Sequence, residues 1–342
     1  MIVESLRDVV DGRSLSEDRA YAVMSQIMDG EATPAQIGGL LAAMRAKRET
    51  IDEIVGFARA MREHSVRVET HRRPLVDTCG TGGDGKGTFN VSTTAAFVVA
   101  GAGVAVAKHG NRAASSRCGS ADVLEALGVN LDLTAAQVGA CIDEVGIGFL
   151  FAQRHHPAMK HAAQPRRELG IRTVFNVLGP LTNPACAAHQ VLGVFDAGLC
   201  PMLAEALGRL GSTEAMVVHG EDGLDEISVC ARTCVSHLVR GRVQTQALDA
   251  RDLLPGASPP DPQALRGGES PAENAAILRA VLAGESGPRR DIVLLNAAAA
   301  LVTAGAADGW QGALALAGAS IDSGAAARTL DDLITTTRRY LP

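Results

Sequence analysis

The chain has 342 residues, of which 46% are hydrophobic and 20% charged, a balance that is typical of globular proteins and excludes a disordered chain. A net charge of -6 and only 3% aromatic residues argue against a nucleic-acid-binding protein, which usually carries a basic patch or stacking aromatic side chains. The seven cysteines form no CxxC pair. No secretory signal is evident, and no apolar run reaches the length of about 18 residues that a membrane span needs. The sequence therefore predicts a cytoplasmic protein with reduced thiols and with no membrane or nucleic-acid partner.

The first part of the chain, residues 1–70, has the pattern of a small all-helical domain. Ser16 precedes an apolar repeat at helical spacing that stops at Gly30. Thr33–Gln36 and Thr50–Glu53 are capping boxes, in which the threonine and the residue three positions later cap each other's backbone. The simplest role for such a unit is packing or dimerisation.

From residue 71 the pattern changes to short apolar runs that alternate with amphipathic segments. This alternation predicts a larger α/β domain, residues 71–342, with a mainly parallel central sheet covered by helices. The predicted strands are Leu75–Asp77, Val104–Ala107, Gly148–Phe151, Gln190–Val194 and Ala215–Val218. Ligands of such sheets bind beyond the carboxyl ends of the strands. Three glycine-rich or polar loops follow predicted strands, at Cys79–Asn90, Lys108–Ser120 and His219–Glu226.

Glycines dominate the first of these loops, Gly80–Thr88, which joins a strand to a helix that begins near Asn90–Ser92. Such a loop can direct several N–H groups at one anion, and the helix that follows adds the positive end of its dipole. Two familiar motifs overlap the loop but do not fit it. A dinucleotide fingerprint needs an acid about 20 residues further on, where the chain has Lys108, and a P-loop needs Ser or Thr where Gly87 stands. A plain structural turn remains as an alternative.

The second loop, Lys108–Ser120, brings lysine, arginine, asparagine and serine side chains to a crossover that we expect to face solvent, with Ser120 as a helix cap. Two such loops on successive crossovers indicate a polyanionic ligand. Asp225 and Glu226 follow a third predicted strand. An adjacent acid pair is usually a solvated surface, but Mg²⁺ binds through one or two carboxylates plus substrate phosphates. Acids that face a phosphate cradle therefore favour a magnesium site.

These motifs occur together, and in this order, in one known family. The chain closely resembles the anthranilate phosphoribosyltransferases at Gly80–Asp84, Asn90–Thr93, Lys108–Arg112, Gly119–Glu125, His156–Met159, Arg172–Pro184 and Gly223–Glu226. The resemblance implies that the phosphoribosyl group of phosphoribosyl pyrophosphate (PRPP) is transferred to the amine of anthranilate, with Mg²⁺, in tryptophan biosynthesis. It also implies a homodimer formed through the helical domain, and a hinge around residues 165–190.

The resemblance assigns site residues by matching motif positions. Lys108 is expected to act on the leaving pyrophosphate, and Arg166 is expected to orient the anthranilate carboxylate. Mg²⁺ is expected at Ser92, Asp225 and Glu226, and anthranilate at Gly80, Asn111 and Arg166. The expected PRPP contacts are Gly80, Gly83, Asp84, Thr88, Asn90, Val91, Ser92, Thr93, Lys108, His109, Gly110, Asn111, Arg112, Ala113, Ala114, Ser115, Ser116 and Ser120.

The chain departs from the family in two places. Where the family usually reads Ala-Pro-Val-Arg, this chain has Ala163–Arg166 with the proline one residue later, and Gln153 stands where the family often has proline. Counting back from Leu169–Gly170 selects Arg166, and not Arg167, as the anthranilate residue. These departures bear on selectivity for the acceptor and leave the reaction unchanged.

Two other functions remain open at this point. A pyrimidine nucleoside phosphorylase would have a similar fold and would run related ribosyl chemistry with phosphate as the nucleophile. A non-catalytic relative could bind nucleic acid on the same scaffold, which predicts a basic cleft and a lost metal pair. The acid pair and the intact glycine-rich loop favour the transferase over both.

Overall fold

A helical bundle and a seven-stranded sheet make up the protein, for which a computed structural model describes residues 1–113, 117–254 and 259–341. The amino-terminal helices are α1 (Ile2–Val10), α2 (Glu17–Met28), α3 (Pro34–Lys47) and α4 (Ile51–Glu63). The predicted helix starts are confirmed. Ser16, Thr33 and Thr50 each accept a hydrogen bond from a first-turn backbone N–H, and both threonines form complete capping boxes.

The predicted alternation of strands and helices is confirmed in the rest of the chain. The strands are β1 (Leu75–Gly80), β2 (Ala105–Gly110), β3 (Ile147–Phe151), β4 (His189–Gly193), β5 (Glu214–Gly220), β6 (Thr233–Val239) and β7 (Arg242–Leu248). The sheet has the order β3-β2-β1-β4-β5-β6-β7. Pairing is parallel from β3 to β5 in that order and antiparallel for β6 and β7. The sheet is therefore mainly parallel, as expected.

Helices connect the strands and cover the sheet. They are α5 (Val91–Gly101), α6 (Ser120–Leu127), α7 (Ala135–Val145), α8 (Ala152–His155), α9 (Lys160–Leu169), α10 (Phe175–Leu178), α11 (Leu199–Arg209), α12 (Ala250–Leu253), α13 (Pro271–Leu282), α14 (Pro288–Thr303), α15 (Trp310–Asp322) and α16 (Ala325–Arg338). Short 3₁₀ turns lie at Pro157–Met159, Gly179–Thr182 and Pro262–Leu265. Among the helices of the described residues, none is both long enough and apolar enough to cross a membrane.

Two hydrophobic cores lie on opposite faces of the sheet. Strand residues alternate between them, since Val191 and Met216 pack in one core whereas Leu192 and Val217 pack in the other. The first core includes α5 and the helices α13 to α16. The second joins the far face of the sheet and α11 to helices α1 to α4, so the amino-terminal bundle shares a core with the sheet.

A second segment of chain completes the helical bundle. Helix α9 packs against α3 and α2, and Ala162, Phe175 and Leu178 belong to the same core as α1 to α4. Pro165 lies inside α9 and is buried. The bundle therefore consists of amino-terminal helices together with helices that interrupt the α/β part of the chain between β3 and β4.

Two predictions about strands are wrong in detail. Strands β1 and β2 continue to Gly80 and Gly110, because their last residues pair in register with β4 and β3, so Lys108 lies in a strand. The hairpin of β6 and β7 is absent from the predicted elements. Most β7 side chains are exposed, as expected for the edge of a sheet, and therefore give no apolar pattern.

We expect Glu53→Ala to lower the free energy of unfolding more than a substitution on the surface does. Glu53 is fully buried and accepts hydrogen bonds from the backbone N–H of Leu15 at 2.8 Å, from that of Thr50 at 2.8 Å and from Lys47 Nζ at 2.9 Å. Removing the carboxylate leaves these donors unpaired, at a cost of about 3–5 kcal/mol in the free energy of unfolding. Urea denaturation measures the loss. The control is Glu205→Ala, on the exposed face of α11, for which a similar loss would contradict the account.

Candidate functional site

The candidate cleft lies at the carboxyl ends of β1 and β4, where the order of the strands reverses and where ligands of such sheets bind. The two strands end at Gly80 and Gly193, which pair in register. The loop that carries Asp225 lies directly on these ends. A Cβ atom added to Gly193 would be 1.6 Å from the Asp225 carbonyl oxygen, and one added to Gly80 would be 2.5 Å from Asp225 Oδ2. A side chain at Gly193 would collide with the Asp225 backbone, and one at Gly80 would displace the Asp225 carboxylate, so the acid loop and the glycine-rich loop meet in one cleft.

Left-handed glycines shape the loop that follows β1. The φ angles of Gly82, Gly83, Gly85 and Gly87 are 63°, 76°, 71° and 66°. Residues with side chains rarely adopt these values. The end of the loop is fixed by a hydrogen bond from the Phe89 N–H to the Leu265 carbonyl at 3.2 Å. Helix α5 then begins with Asn90 as its N-cap residue, as predicted.

Backbone N–H groups from this side of the cleft hold both members of the acid pair. The Gly82 N–H donates to Asp225 Oδ2 at 2.8 Å, and the Ser92 N–H donates to Glu226 Oε1 at 3.0 Å. Glu226 therefore lies at the amino-terminal end of α5, where the helix dipole stabilises negative charge. The three expected metal-binding residues are brought together.

The cleft brings three acids, Asp84, Asp225 and Glu226, close together, and the buried Lys108 offsets only part of their charge. Burial and the neighbouring Asp84 raise the pKa of Asp225 to about 6. Burial and the charge of Asp225 raise the pKa of Glu226 to about 8. One oxygen of Asp84, Oδ2, is buried without a hydrogen-bond partner. Oxygen ligands of this kind suit Mg²⁺, which needs only one or two carboxylates when phosphate oxygens and waters complete its shell.

Lys108 is not in a solvent-facing loop, and that expectation is wrong. It lies in β2 with 3% of its surface exposed, and its Nζ donates to the carbonyl oxygen of Thr78 at 2.5 Å. Burial lowers its pKa, while Asp77 and Glu226 act in the opposite direction. The charges of Lys108 and Glu226 interact, so the ammonium group lies near the acid pair. A Lys108→Ala variant would therefore also damage the core and would not test ligand binding alone.

A buried carboxylate ties the floor of the cleft together. Asp77 Oδ1 accepts the backbone N–H of His109 at 3.1 Å, and its Oδ2 accepts Asn183 Nδ2 at 2.8 Å. Asn183 Nδ2 also donates to the Ala107 carbonyl at 2.8 Å. Burial raises the pKa of Asp77 to about 6, against the opposing effects of Asn183 and Lys108. β1, β2 and the segment after α10 are held as one unit.

Two neutral histidines lie beside this network. The rings of His109 and His156 are 5.1 Å apart, both side chains are buried, and the Nε2 atom of each lacks a hydrogen-bond partner. Burial lowers the pKa of His156 to about 4 and that of His109 well below its ordinary value. No site role is predicted for His156 from the sequence, since a histidine in a loop has no characteristic spacing to other residues.

The second loop is anchored by an acid. Asp122 Oδ2 accepts the backbone N–H groups of Ala113 at 3.0 Å and Gly119 at 2.9 Å, so Gly119 is the cap residue of α6 and the prediction for Ser120 is wrong. The Arg112 guanidinium pairs with Asp122 at 3.0 Å. Of the other expected PRPP contacts, Asn111 is exposed, whereas Val91 and Thr93 have buried side chains. Ala114, Ser115 and Ser116 lie outside the described residues.

The two candidate arginines of α9 differ in their surroundings. The Arg166 guanidinium carbon is 4.9 Å from the centre of the Phe175 ring, and burial lowers its pKa, whereas Arg167 is exposed. No ion pair to Arg166 is found within residues 1–113, 117–254 and 259–341. A half-buried guanidinium that has one face on an aromatic ring is suited to binding a carboxylate.

Arg172 begins one of the motifs shared with the family, but no role is predicted for it from the sequence. Its Nη2 donates to the carbonyl oxygen of Gly83, and its guanidinium carbon is 4.4 Å from the centre of the Phe195 ring. The contact joins residues 89 positions apart in the chain. No local pattern could have indicated it.

Comparison with known proteins agrees with this architecture. The family model described as "Glycosyl transferase family, a/b domain" matches residues 72–327, and the one described as "Glycosyl transferase family, helical bundle domain" matches residues 3–65. The chain belongs to this glycosyl transferase family. It is 59% identical to the anthranilate phosphoribosyltransferase of Desulforudis audaxviator over 99% of this chain and 97% of the relative. It is 57% identical to that of Moorella thermoacetica, with 98% of each chain covered.

Solved structures of the family have the same fold. The crystal structure of anthranilate phosphoribosyltransferase from Thermus thermophilus matches with a TM-score of 0.92 and 48% identity, over 98% of this chain and 99% of that chain. The enzyme from Saccharomyces cerevisiae in complex with PRPP and Mg matches with a TM-score of 0.90 and 29% identity, over 99% and 98%. The resemblance found from the motifs is confirmed.

The close approach of the acid loop to β4 predicts the effect of one added methyl group. Gly193→Ala must push the Asp225 backbone away, which we expect to cost about 1–3 kcal/mol of the free energy of unfolding. Gly38→Ala is the control, since nothing lies within 4 Å of a Cβ at that helical position. Thermal denaturation of both variants decides the matter. If Gly193→Ala has the same melting temperature as the wild type, the acid loop does not rest on the strand.

Proposed function

We propose that the chain transfers the phosphoribosyl group of PRPP to the amine of anthranilate, giving N-(5-phosphoribosyl)anthranilate and pyrophosphate in tryptophan biosynthesis. The observation that carries the proposal is the meeting of an acid pair and a glycine-rich anion cradle in one cleft. The chain also matches anthranilate phosphoribosyltransferases at 52–59% identity over nearly its whole length. An acid pair beside an anion cradle suits a substrate that carries pyrophosphate and binds together with a cation.

PRPP would bind along the glycine-rich loop and the second loop. The left-handed glycines open a face of the backbone to phosphate oxygens, and α5 adds the positive end of its dipole. Asp84 and Asn90 each keep one buried oxygen without a partner, which leaves acceptors for ribose hydroxyls or metal-bound water. Lys108 contributes positive charge from below the cleft and needs no exposed position to do so.

Mg²⁺ would be held by Asp225 and Glu226, with Ser92 beside them. When bound, it would neutralise negative charge on the pyrophosphate as that group leaves. The pKa values of both acids are raised by the same two effects, namely burial and the charge of a neighbouring acid. A yeast relative has been solved in complex with PRPP and Mg. We extend that cofactor to this chain.

The protein has little covalent work in this reaction. The bond to pyrophosphate breaks ahead of attack, so the ribose carries oxocarbenium-like charge. Arg166 would pair with the anthranilate carboxylate and direct the amine at C1 of the ribose. Holding the two substrates together in this way gives a large rate enhancement. An aryl amine is neutral at pH 7, so no strong base is needed, and we assign none. A yeast relative has been solved with 4-fluoroanthranilate, an acceptor analogue.

Loss of anthranilate fluorescence in the presence of PRPP and Mg²⁺ tests the proposal. We expect turnover that requires all three components. Cleavage of thymidine in phosphate buffer without anthranilate turnover would favour the phosphorylase. A gel shift with DNA or RNA and no turnover of either substrate would favour the binding protein.

We further propose a homodimer that forms through the helical domain (residues 1–70), with residues 165–190 as a hinge to the α/β domain (71–342), in the cytoplasm. Helix α1 exposes Val3 and Val10, which are apolar side chains that a partner could cover. All seven cysteines are free thiols, in keeping with a reducing compartment. Light scattering after gel filtration tests the dimer, and Val10→Asp should shift it toward the monomer.

Activity should depend on the charge of Glu226. Glu226→Gln keeps an oxygen to accept the Ser92 N–H but cannot become the anion that bound Mg²⁺ would stabilise. We therefore expect kcat/KM to fall about 100-fold and the Mg²⁺ concentration needed for half-maximal activity to rise. Chelation by EDTA should abolish turnover in the wild type. Glu221→Gln, at an exposed acid of the same loop, is the control. Full turnover in EDTA, or equal losses in both variants, would contradict the metal assignment.

Arg166 should govern anthranilate and not PRPP. Arg166→Ala removes a guanidinium that can pair with both carboxylate oxygens, a loss of about 1.5–3 kcal/mol or at least tenfold in the KM for anthranilate. The KM for PRPP should change little. Arg167→Ala is the matched control, because its side chain is exposed on the same helix. If Arg167→Ala gives the larger defect, the count from Leu169–Gly170 is off by one.

A further inference from the structure

Arg172 connects parts of the protein that would bind different substrates. It follows α9, which carries Arg166, and it precedes α10, whose Phe175 and Leu178 are packed in the bundle core. Its Nη2 donates to the carbonyl of Gly83 in the glycine-rich loop. The guanidinium thus crosses from the bundle side of the cleft to the phosphate side.

Contacts fix both the guanidinium of Arg172 and the backbone that follows it. One face of the guanidinium lies on the ring of Phe195, at 4.4 Å, and the backbone N–H of Phe195 donates to Thr81 Oγ1 at 3.2 Å. On the chain side, the N–H of Thr173 donates to Asn176 Oδ1 at 2.9 Å, which fixes the start of α10. The residue therefore contacts the glycine-rich loop directly and also rests on an aromatic ring that is bonded to that loop.

Gly83 accommodates this contact through its conformation. It has a φ of 76°, and a Cβ atom at this position would be 3.4 Å from Arg172 Nη2, so the guanidinium packs on the α-carbon of the glycine. Because the C=O and N–H of a trans peptide point in opposite directions, the Asp84 N–H points away from the guanidinium that the Gly83 carbonyl accepts from. The orientation of the anion cradle is thereby linked to the segment that begins α10.

We propose that Arg172 is a positioning residue that fixes the glycine-rich loop relative to the α9–α10 segment. PRPP and anthranilate are thereby held in a fixed position relative to each other. The inference rests on the proposed function. It makes Arg172 act on both substrates, whereas a residue that only contacts phosphate would act on PRPP and one that only orients the acceptor would act on anthranilate.

The test compares Arg172→Ala with Arg167→Ala, an exposed arginine of the same segment. The dissociation constant of PRPP with Mg²⁺ is measured by calorimetry, and that of anthranilate by its own fluorescence in the presence of PRPP. We expect Arg172→Ala to raise both constants, each by about tenfold for a lost charge-assisted hydrogen bond, and Arg167→Ala to raise neither. Because Arg172 is exposed, the melting temperature of Arg172→Ala should stay within a few degrees of that of the wild type.

Phe195→Leu is the second variant, since it leaves the bond to Gly83 and removes only the ring under the guanidinium. It should raise the two constants together by a smaller factor, and it decides the outcome if Arg172→Ala does not fold. A rise in only one constant, or in neither, overturns the inference. A wild-type chain that binds both ligands without consuming anthranilate contradicts the proposed function and not this inference, because binding is measured without turnover.

Discussion

The close contact between the Asp225 loop and the ends of two strands determines the rest of the cleft. Because Gly80 and Gly193 lack side chains, the loop can descend onto the point where the strand order reverses. The Gly82 N–H then reaches Asp225, and the Ser92 N–H reaches Glu226. Acids placed this deeply cost free energy as anions, so the cleft is suited to a cation and a polyanion that enter together.

The two cores support opposite sides of the cleft. One core supports α5, whose amino-terminal end faces the acids, and the other joins the sheet to the helical bundle. The α9–α10 segment belongs to the second core, although it lies in the chain between strands β3 and β4. A ligand that touches this segment and the glycine-rich loop would therefore contact both halves of the protein.

Local signals in the sequence predicted most of the elements but not the β6–β7 hairpin, and contacts between distant residues were not predictable. Capping boxes at Thr33 and Thr50 gave the helix starts, because the partners lie three residues apart. The ends of β1 and β2 were placed too early, since glycines and a lysine gave no apolar pattern although strand pairing buries them. The burial of Lys108 and the contact of Arg172 with Gly83 depend on residues 30 and 89 positions away.

The affinity for Mg²⁺ with and without PRPP tests the central claim most directly. If the acid pair and the anion cradle form one site, each ligand must strengthen the binding of the other by the same factor. We predict weak Mg²⁺ binding to the protein alone, and binding at least about tenfold tighter when PRPP is present, in calorimetric titrations corrected for Mg²⁺ bound by free PRPP. Equal affinities in the two titrations would contradict the account, because the acids and the phosphate cradle would then be separate sites.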